Sequence, residues 1–408
     1  MSTPRQNAGS SRSFAAMLRQ PRVRLFALVS LVGLFAAGCA DNAQQTTLEP
    51  QGPAANDINN LSNLTFLIAG VVFILVEVGV LFVVWKFRTR KGDEDPDALP
   101  TQVHGHTMAE IGWTALPALI LVGLAIPTVA TVIDLGSEPD DALEVRVVGQ
   151  QWWWSYDYDL DGDGVFADDD VNAPGYENPE EFATDIETAT EMVIPINTPV
   201  YLSIESRDVI HSFWIPALNG KKDAVPGRTH HLTLEADEPG TYVGQCTEFC
   251  GLSHAYMRMT VRAVTMEDYE AWVEAQLADA VAPTDDLAAA GQAVFEAQCT
   301  SCHLVEGLNE DTYDGAAQTS GAAPNLTHFA DRGTYAGGVF DLWVDTDGDG
   351  IVEADEIGGE LDTNQLEAWL RNPPEEKPLA PDQTRGMPDL GLSESDIDAL
   401  VAYLAGLE

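Results

Sequence analysis

The stretch GQCTEFCGLSHAYM, residues 244–257, sets two cysteines, a histidine and a methionine between Cys246 and Met257. The chain has five cysteines and places two of them here, four residues apart. A disulfide between Cys246 and Cys250 would close a tiny loop and constrain little. Zinc would not recruit the thioether of Met257. Thiolate, imidazole and thioether together are soft donors that select copper. One cysteine with two histidines and a weak methionine makes a mononuclear electron-transfer site, whereas two cysteines can bridge two coppers. A second histidine must come from elsewhere, and His211 in RDVIHSFWIP is the leading candidate. His230 and His231 in RTHHLTLEA compete, but strand alternation turns one of them outward.

Working outward, LEVRVVG, VYLSIES, HHLTLEA and YMRMTVRAV are short runs that alternate or cluster β-branched residues. Asn219-Gly220, Pro226-Gly227 and Pro239-Gly240 are turn signals between several of them. The pattern predicts an antiparallel β-sandwich over residues 141–265. MEDYEAWVEAQLADA reads as a helix and VAPTDDLA as a linker, together 266–287. From 288 to 408 the pattern is helical with loops, so an all-α domain is expected, interrupted by an acidic insertion at 339–360.

That tail contains CTSCH, with Cys299, Cys302 and His303. C-x-x-C-H is the attachment signal for a c-type haem. Two thiols one helical turn apart add to the vinyl groups, and the adjacent histidine faces the iron. A thioredoxin-type pair is disfavoured by that histidine, by the export signal and by a downstream Met-Pro. Met387, before Pro388, is the expected sixth ligand, since a thioether raises the potential of an electron carrier. A core methionine is the alternative. His328 in PNLTHFADR reads as a polar-network residue, with bis-histidine ligation as the lesser reading. APNLTHFA and LEAWLRNP resemble class I cytochromes c.

The N-terminus reads as a signal, residues 1–38. Arg19, Arg22 and Arg24 precede the apolar LFALVSLVGLFAAG, which is too short to span comfortably. Cys39 then follows small residues, as a lipid-modified cysteine does; a plain signal peptide or an uncleaved anchor is the alternative. After an exported segment, 39–62, two apolar runs, Asn63–Trp85 and Ile111–Ile133, form a transmembrane hairpin within 63–135. Lys86, Arg88, Arg90 and Lys91 crowd its loop, which places that loop in the cytoplasm. Everything beyond about Asp134 is then outside the bacterial inner membrane.

Charge excludes one class of partner. Up to residue 139 there are nine Lys/Arg against eleven Asp/Glu; beyond it there are eleven against fifty-four. Phosphates would be repelled, so nucleic acid is not a partner. Solubility in salt or steering of a cationic electron donor fits instead.

DVIHSFWIPALNGKKDAVPGR, GQCTEFCGLSHAYM and the two-span hairpin resemble subunit II of haem–copper cytochrome c oxidases, and the fused haem segment is similar to caa-type members. The resemblance implies a multi-domain chain: hairpin, cupredoxin-like domain, cytochrome c domain. It implies a dinuclear copper-A centre on His211, Cys246, Cys250, His254 and Met257 with the carbonyl of Glu248. It places the Glu248 side chain on a magnesium at the interface with subunit I, and Asp223 as a helper beside the copper. In GQQWWWSYDY, Trp152 falls where electrons enter, and Trp153 and Trp154 are read as packing. Glu110 falls at the mouth of a proton channel, or is a solvated helix-end acid. Subunits I and III, a donor cytochrome and the membrane are the implied partners. A quinol-oxidising relative would lack the copper ligands. The five cysteines then divide as one for lipid, two for copper and two for haem.

DTDGDGIVEADE matches the calcium loop D-x-D-x-D-G-x5-E through Asp345, Asp347, Asp349, Gly350, Glu353 and Glu356. No clear helix precedes it, and a solvated acidic loop is the alternative. DLDGDGVFADDD (Asp159–Asp170) is a looser copy. The expected function is electron entry to a terminal oxidase. A membrane-anchored copper–haem shuttle for a nitrous oxide or nitric oxide reductase is the alternative, and an acidic calcium-binding scaffold is a third, colourless class.

Overall fold

The computed structural model describes residues 43–88, 104–160, 186–309, 323–379 and 385–408, with scattered helical positions between 23 and 33. Signal residues up to 22, Cys39, most of the basic loop (89–103) and most of the looser acidic copy (161–170) lie outside the described residues. Residues 1–44 form a unit separate from 45–408.

Two apolar helices, α1 (Pro53–Phe87) and α2 (Thr107–Leu135), are long and apolar enough to cross a membrane. Pro53 starts α1, where its missing N–H is no loss. The helix begins ten residues ahead of the apolar run at Asn63, because its polar first turns lie on the β-domain. Gln51 N and Ala55 N donate to the carbonyls of Ala217 and Leu218 at 2.8 and 3.2 Å. α2 runs through Pro117 and Pro127 without ending.

The β-domain holds ten strands among the described residues. One sheet runs β3 (Ile186–Ala189), β2 (Trp153–Asp159), β1 (Leu143–Gln150), β5 (Val200–Ser206), β8 (His230–Leu234). The second runs β4 (Glu191–Pro195), β10 (Arg258–Val264), β9 (Gly240–Gln245). A hairpin of β6 (His211–Phe213) and β7 (Lys222–Ala224) carries the first site residue. β5 shows the period of two: Val200, Leu202, Ile204 and Ser206 are buried while the residues between are half-exposed.

The expectation of a wholly antiparallel sandwich is corrected. β1 runs parallel to β5, and β4 parallel to β10. Thr190, at φ +72°, makes the corner at which the chain leaves one sheet for the other. The chain then returns beside β1 instead of doubling back as a hairpin. Alternation tells which face is buried, not which way the neighbouring strand runs, so the direction was not legible in these runs.

α3 (Met266–Gln276) is capped by Thr265 and sends Tyr269 and Trp272 into the β-domain core. The C-terminal domain follows: α4 (Asp286–Gln298), β11 (Thr334–Tyr335), β12 (Phe340–Asp341), α5 (Thr363–Arg371), α6 (Pro373–Glu376) and α7 (Glu394–Leu404). The β11–β12 hairpin amends the all-α expectation. α4 and α7 cross so closely that a Cβ at Gly291 would stand 2.0 Å from the Ala399 carbonyl. A charged bridge joins the domains. Glu191 accepts from Arg262 Nε at 2.8 Å and from Gly333 N at 3.1 Å, and Arg262 also donates to the Asp331 carbonyl at 3.1 Å.

Candidate functional site

Two donor constellations stand on either side of one tryptophan. The first forms where β6 meets the loop after β9. Cys246 Sγ lies 3.8 Å from Cys250 Sγ and 4.0 Å from His211 Nδ1. Cys250 Sγ lies 3.5 Å from His254 Nδ1 and 3.8 Å from Met257 Sδ. The Glu248 carbonyl is 3.3 Å from Cys246 Sγ. The two cysteines are free thiols. His211, Cys246, Cys250 and Met257 are buried, and His254 is half-buried. Backbone bonds hold the loop: Cys246 N donates to the Met257 carbonyl at 2.9 Å and Thr247 N to the Ser212 carbonyl at 3.0 Å. Two thiols, two imidazoles and a thioether in mutual contact suit a soft metal, and the His211–Cys246–Cys250 group is a candidate copper site.

The electrostatics favour a thiolate. Contact with the Cys250 thiol, followed by the hydrogen bonds from His211 and the loop backbone, outweighs burial and draws Cys246 down to about 4. Cys250 is pushed up in turn, chiefly by the same contact, so the pair sheds its first proton readily.

Asp208, which was not singled out from the sequence, orients this cluster. Its carboxylate bonds His211 Nε2 at 2.8 Å and accepts from Gln151 N at 2.8 Å. Nδ1 of His211 is thereby left to face the sulfurs. Burial would raise Asp208, but these bonds hold it below the ordinary carboxylate value. Its place three residues before His211 was the available signal. Asp223, expected as helper, is instead half-exposed beside Lys221. His230 bonds the Asp223 carbonyl and His231 stacks on Tyr201, so neither joins the cluster. Trp154 packs edge-on against His211, with ring centroids 5.8 Å apart.

The second constellation is a cavity lined by Cys299, Cys302, His303 and Met387. His303 Nδ1 donates to the Pro324 carbonyl at 2.8 Å, which leaves Nε2 free for a metal. Burial lowers the His303 pKa and favours the neutral ligand form. Phe295, Leu326, Trp369 and Leu400 give the cavity an apolar wall. Two thiols, an imidazole and a thioether around an apolar slot fit a covalently held porphyrin. His328 is buried on the Gln276 carbonyl and is not part of this lining.

Gln151, Trp152 and Trp153 of the β-domain complete the cavity wall. The Trp152 indole donates to the Cys250 carbonyl at 3.1 Å, and Gln151 Nε2 donates to the same oxygen at 2.6 Å. Trp152 therefore touches both constellations. Lys377, also not singled out from the sequence, donates to the Trp152 carbonyl at 2.6 Å.

The remaining expectations fall apart from these two sites. The Glu248 side chain is exposed. Glu110 lies in the first turn of α2 and accepts from His106 N at 3.1 Å, as a capping acid does. Asp345, Asp347 and Asp349 bring carboxylate oxygens within 4.8 Å of one another. Asp345 accepts from Gly348 N and Gly350 N, while Glu356 is taken up by Thr346 and Glu353 N.

The family described as "Cytochrome C oxidase subunit II, periplasmic domain" matches residues 143–264, and "Cytochrome C oxidase subunit II, transmembrane domain" matches 40–131. "Cytochrome c oxidase subunit 2" of Alkalihalophilus pseudofirmus is 34% identical over 395 residues, which cover 94% of this chain and 96% of that one. The chain belongs to the cytochrome c oxidase subunit II family. Subunits 2 of Bacillus sp. (strain PS3) and Bacillus subtilis are 32% and 31% identical, over 94% of this chain and 97% and 98% of theirs. As a subunit II, the chain is an electron-transfer part of a respiratory oxidoreductase complex. It is an inner-membrane protein with a periplasmic domain.

Proposed function

We propose that the chain is the electron-entry subunit of a caa-type terminal oxidase, carrying a dinuclear copper-A centre and its own c-type haem. The observation that carries this reading is Trp152, which lines the cavity of Cys299, Cys302, His303 and Met387 while its indole donates to the Cys250 carbonyl. When bound, the haem and the copper pair would each supply a one-electron couple. Cys246, Cys250, His211, His254, Met257 and the Glu248 carbonyl would hold the copper pair. Cys299 and Cys302 would hold the porphyrin, with His303 and Met387 as donors to its iron. The rigid strands and loop bonds limit rearrangement when charge changes.

The partners in this reading are a donor cytochrome and oxidase subunits I and III, with the oxygen site in subunit I. Glu248 serves a magnesium there and Glu110 a proton channel. Cys39 carries the lipid, and Asp345, Asp347, Asp349, Glu353 and Glu356 offer oxygens to calcium. Metal analysis with optical and EPR spectra of the purified chain tests the core of the proposal. Two coppers and one iron per chain are expected, with a mixed-valence signal that Cys246→Ser abolishes while the haem spectrum stays. Zinc or no metal at the cysteine loop overturns it.

A further inference from the structure

Lys377 is a lysine held at 9% exposure in the seam between the two domains. Lysine is almost never buried unless its ammonium is satisfied. Here Nζ donates to the carbonyl of Trp152 at 2.6 Å and to that of Ala336 at 2.7 Å. The first carbonyl belongs to the β-domain and the second to the C-terminal domain. The ammonium is thus a two-pronged link across the seam, and its side chain lines the same cavity as His303 and Met387. Burial pushes its pKa down to about 7.

The backbone around it is shaped to admit it. Ala336, Gly337 and Gly338 all take positive φ, at 52°, 77° and 70°. A Cβ at Gly337 would stand 2.5 Å from Lys377 Nζ and 2.6 Å from the Trp152 carbonyl. The Gly337 carbonyl accepts from Arg258 N at 2.8 Å, so the turn is itself fastened to β10. The next residue, Pro378, accepts at its carbonyl from Ser253, the neighbour of His254. Lys377–Pro378 is therefore stitched at once to the tryptophan, the glycine turn and the sulfur-bearing loop.

We propose that Lys377 is a positioning residue for electron passage: it clamps the cavity wall at Ala336–Gly337 onto Trp152 and so fixes the separation between the porphyrin site and the copper loop. This rests on the haem and copper reading given under Proposed function. The passage it positions is of one electron, with iron oxidised by one, the copper pair reduced by one, and no bond or proton exchanged.

The test uses the full-length chain in detergent, loaded with its metals, as Lys377→Met and Gly337→Ala. Three readouts are taken: amide hydrogen exchange at 150–152 and 335–338, the haem midpoint potential, and the rate of haem-to-copper redistribution after photoreduction. Lys377→Met is expected to speed exchange in both segments, to lower the midpoint at about pH 6, where the lysine carries its charge, and to slow redistribution. Gly337→Ala displaces the ammonium but keeps its charge, so exchange and rate change in the same way while the midpoint stays. The proposal is overturned if redistribution and exchange match the wild type in a variant with full iron and copper. If Lys377→Met does not accumulate, Gly337→Ala decides by the same criteria. A wild-type chain that lacks iron or copper sinks the haem–copper reading instead, and the exchange data then judge the clamp alone.

Discussion

Trp152 and Cys250 are joined by a hydrogen bond of 3.1 Å from the indole nitrogen to the carbonyl oxygen. The bond ties the wall of one cavity to the loop that carries the other donor set. It also makes Trp152 answerable to two different measurements, stability and electron passage.

Trp152→Phe keeps an aromatic ring but loses the donor. The Cys250 carbonyl retains Gln151 as a partner, so the stability cost is about 1 kcal/mol in a denaturant titration. On the proposed haem–copper reading, copper and iron contents are expected to stay at wild-type values while redistribution between them slows. Unchanged transfer would remove Trp152 from the path.

Asp208→Asn weakens the bond that aims His211 Nδ1 at the sulfurs. Loss of such a supporting carboxylate lowers metal affinity about 10- to 100-fold. A copper competition titration on the purified chain reads this directly, and an affinity within twofold of wild type contradicts the orienting role.

Arg262→Met removes the ion-pair partner of the buried Glu191, which keeps Gly333 N and the charge of nearby Arg332. Breaking a buried pair from one side costs about 3–5 kcal/mol. The double change with Glu191→Gln should recover much of that loss, since the stranded charge goes too. Urea unfolding of the two variants checks the difference.

Asp341 is raised to about 6, by burial first and then by Asp345 and Asp362. A raised carboxyl binds its proton more tightly in the folded state, so its contribution to stability falls as pH climbs from about 4 to about 6. Asp341→Asn should therefore stabilise the chain at pH 7 by about 1–2 kcal/mol and lose that advantage near pH 4. Melting curves at the two pH values decide it.

The sulfur-rich loop was legible because Cys246, Cys250, His254 and Met257 are close in sequence and need only a local turn to meet. His211, 35 residues upstream at the end of a β-type run, was a candidate among three histidines, and the fold brings it to Cys246. Asp208 was hidden, since an aspartate in a turn reads as a solvated residue until the imidazole beside it is placed. Lys377 was hidden more thoroughly, because nothing in a KP dipeptide announces a buried ammonium. The β5 alternation revealed a buried face, yet the parallel neighbours of β1 and β4 depend on chain path. The start of α1 escaped for a similar reason: its first turns are polar in sequence and find their partners only at Ala217 and Leu218.

That docking makes α1 a stiff mast instead of a tether. The helix has 35 residues, about 52 Å of rise, against a hydrocarbon slab of about 30 Å. Its first turn is fastened to the β-domain, so α1 itself is joined to the soluble part without a flexible linker between them. A thicker or thinner bilayer, which tilts such helices, must lean the β-domain with them.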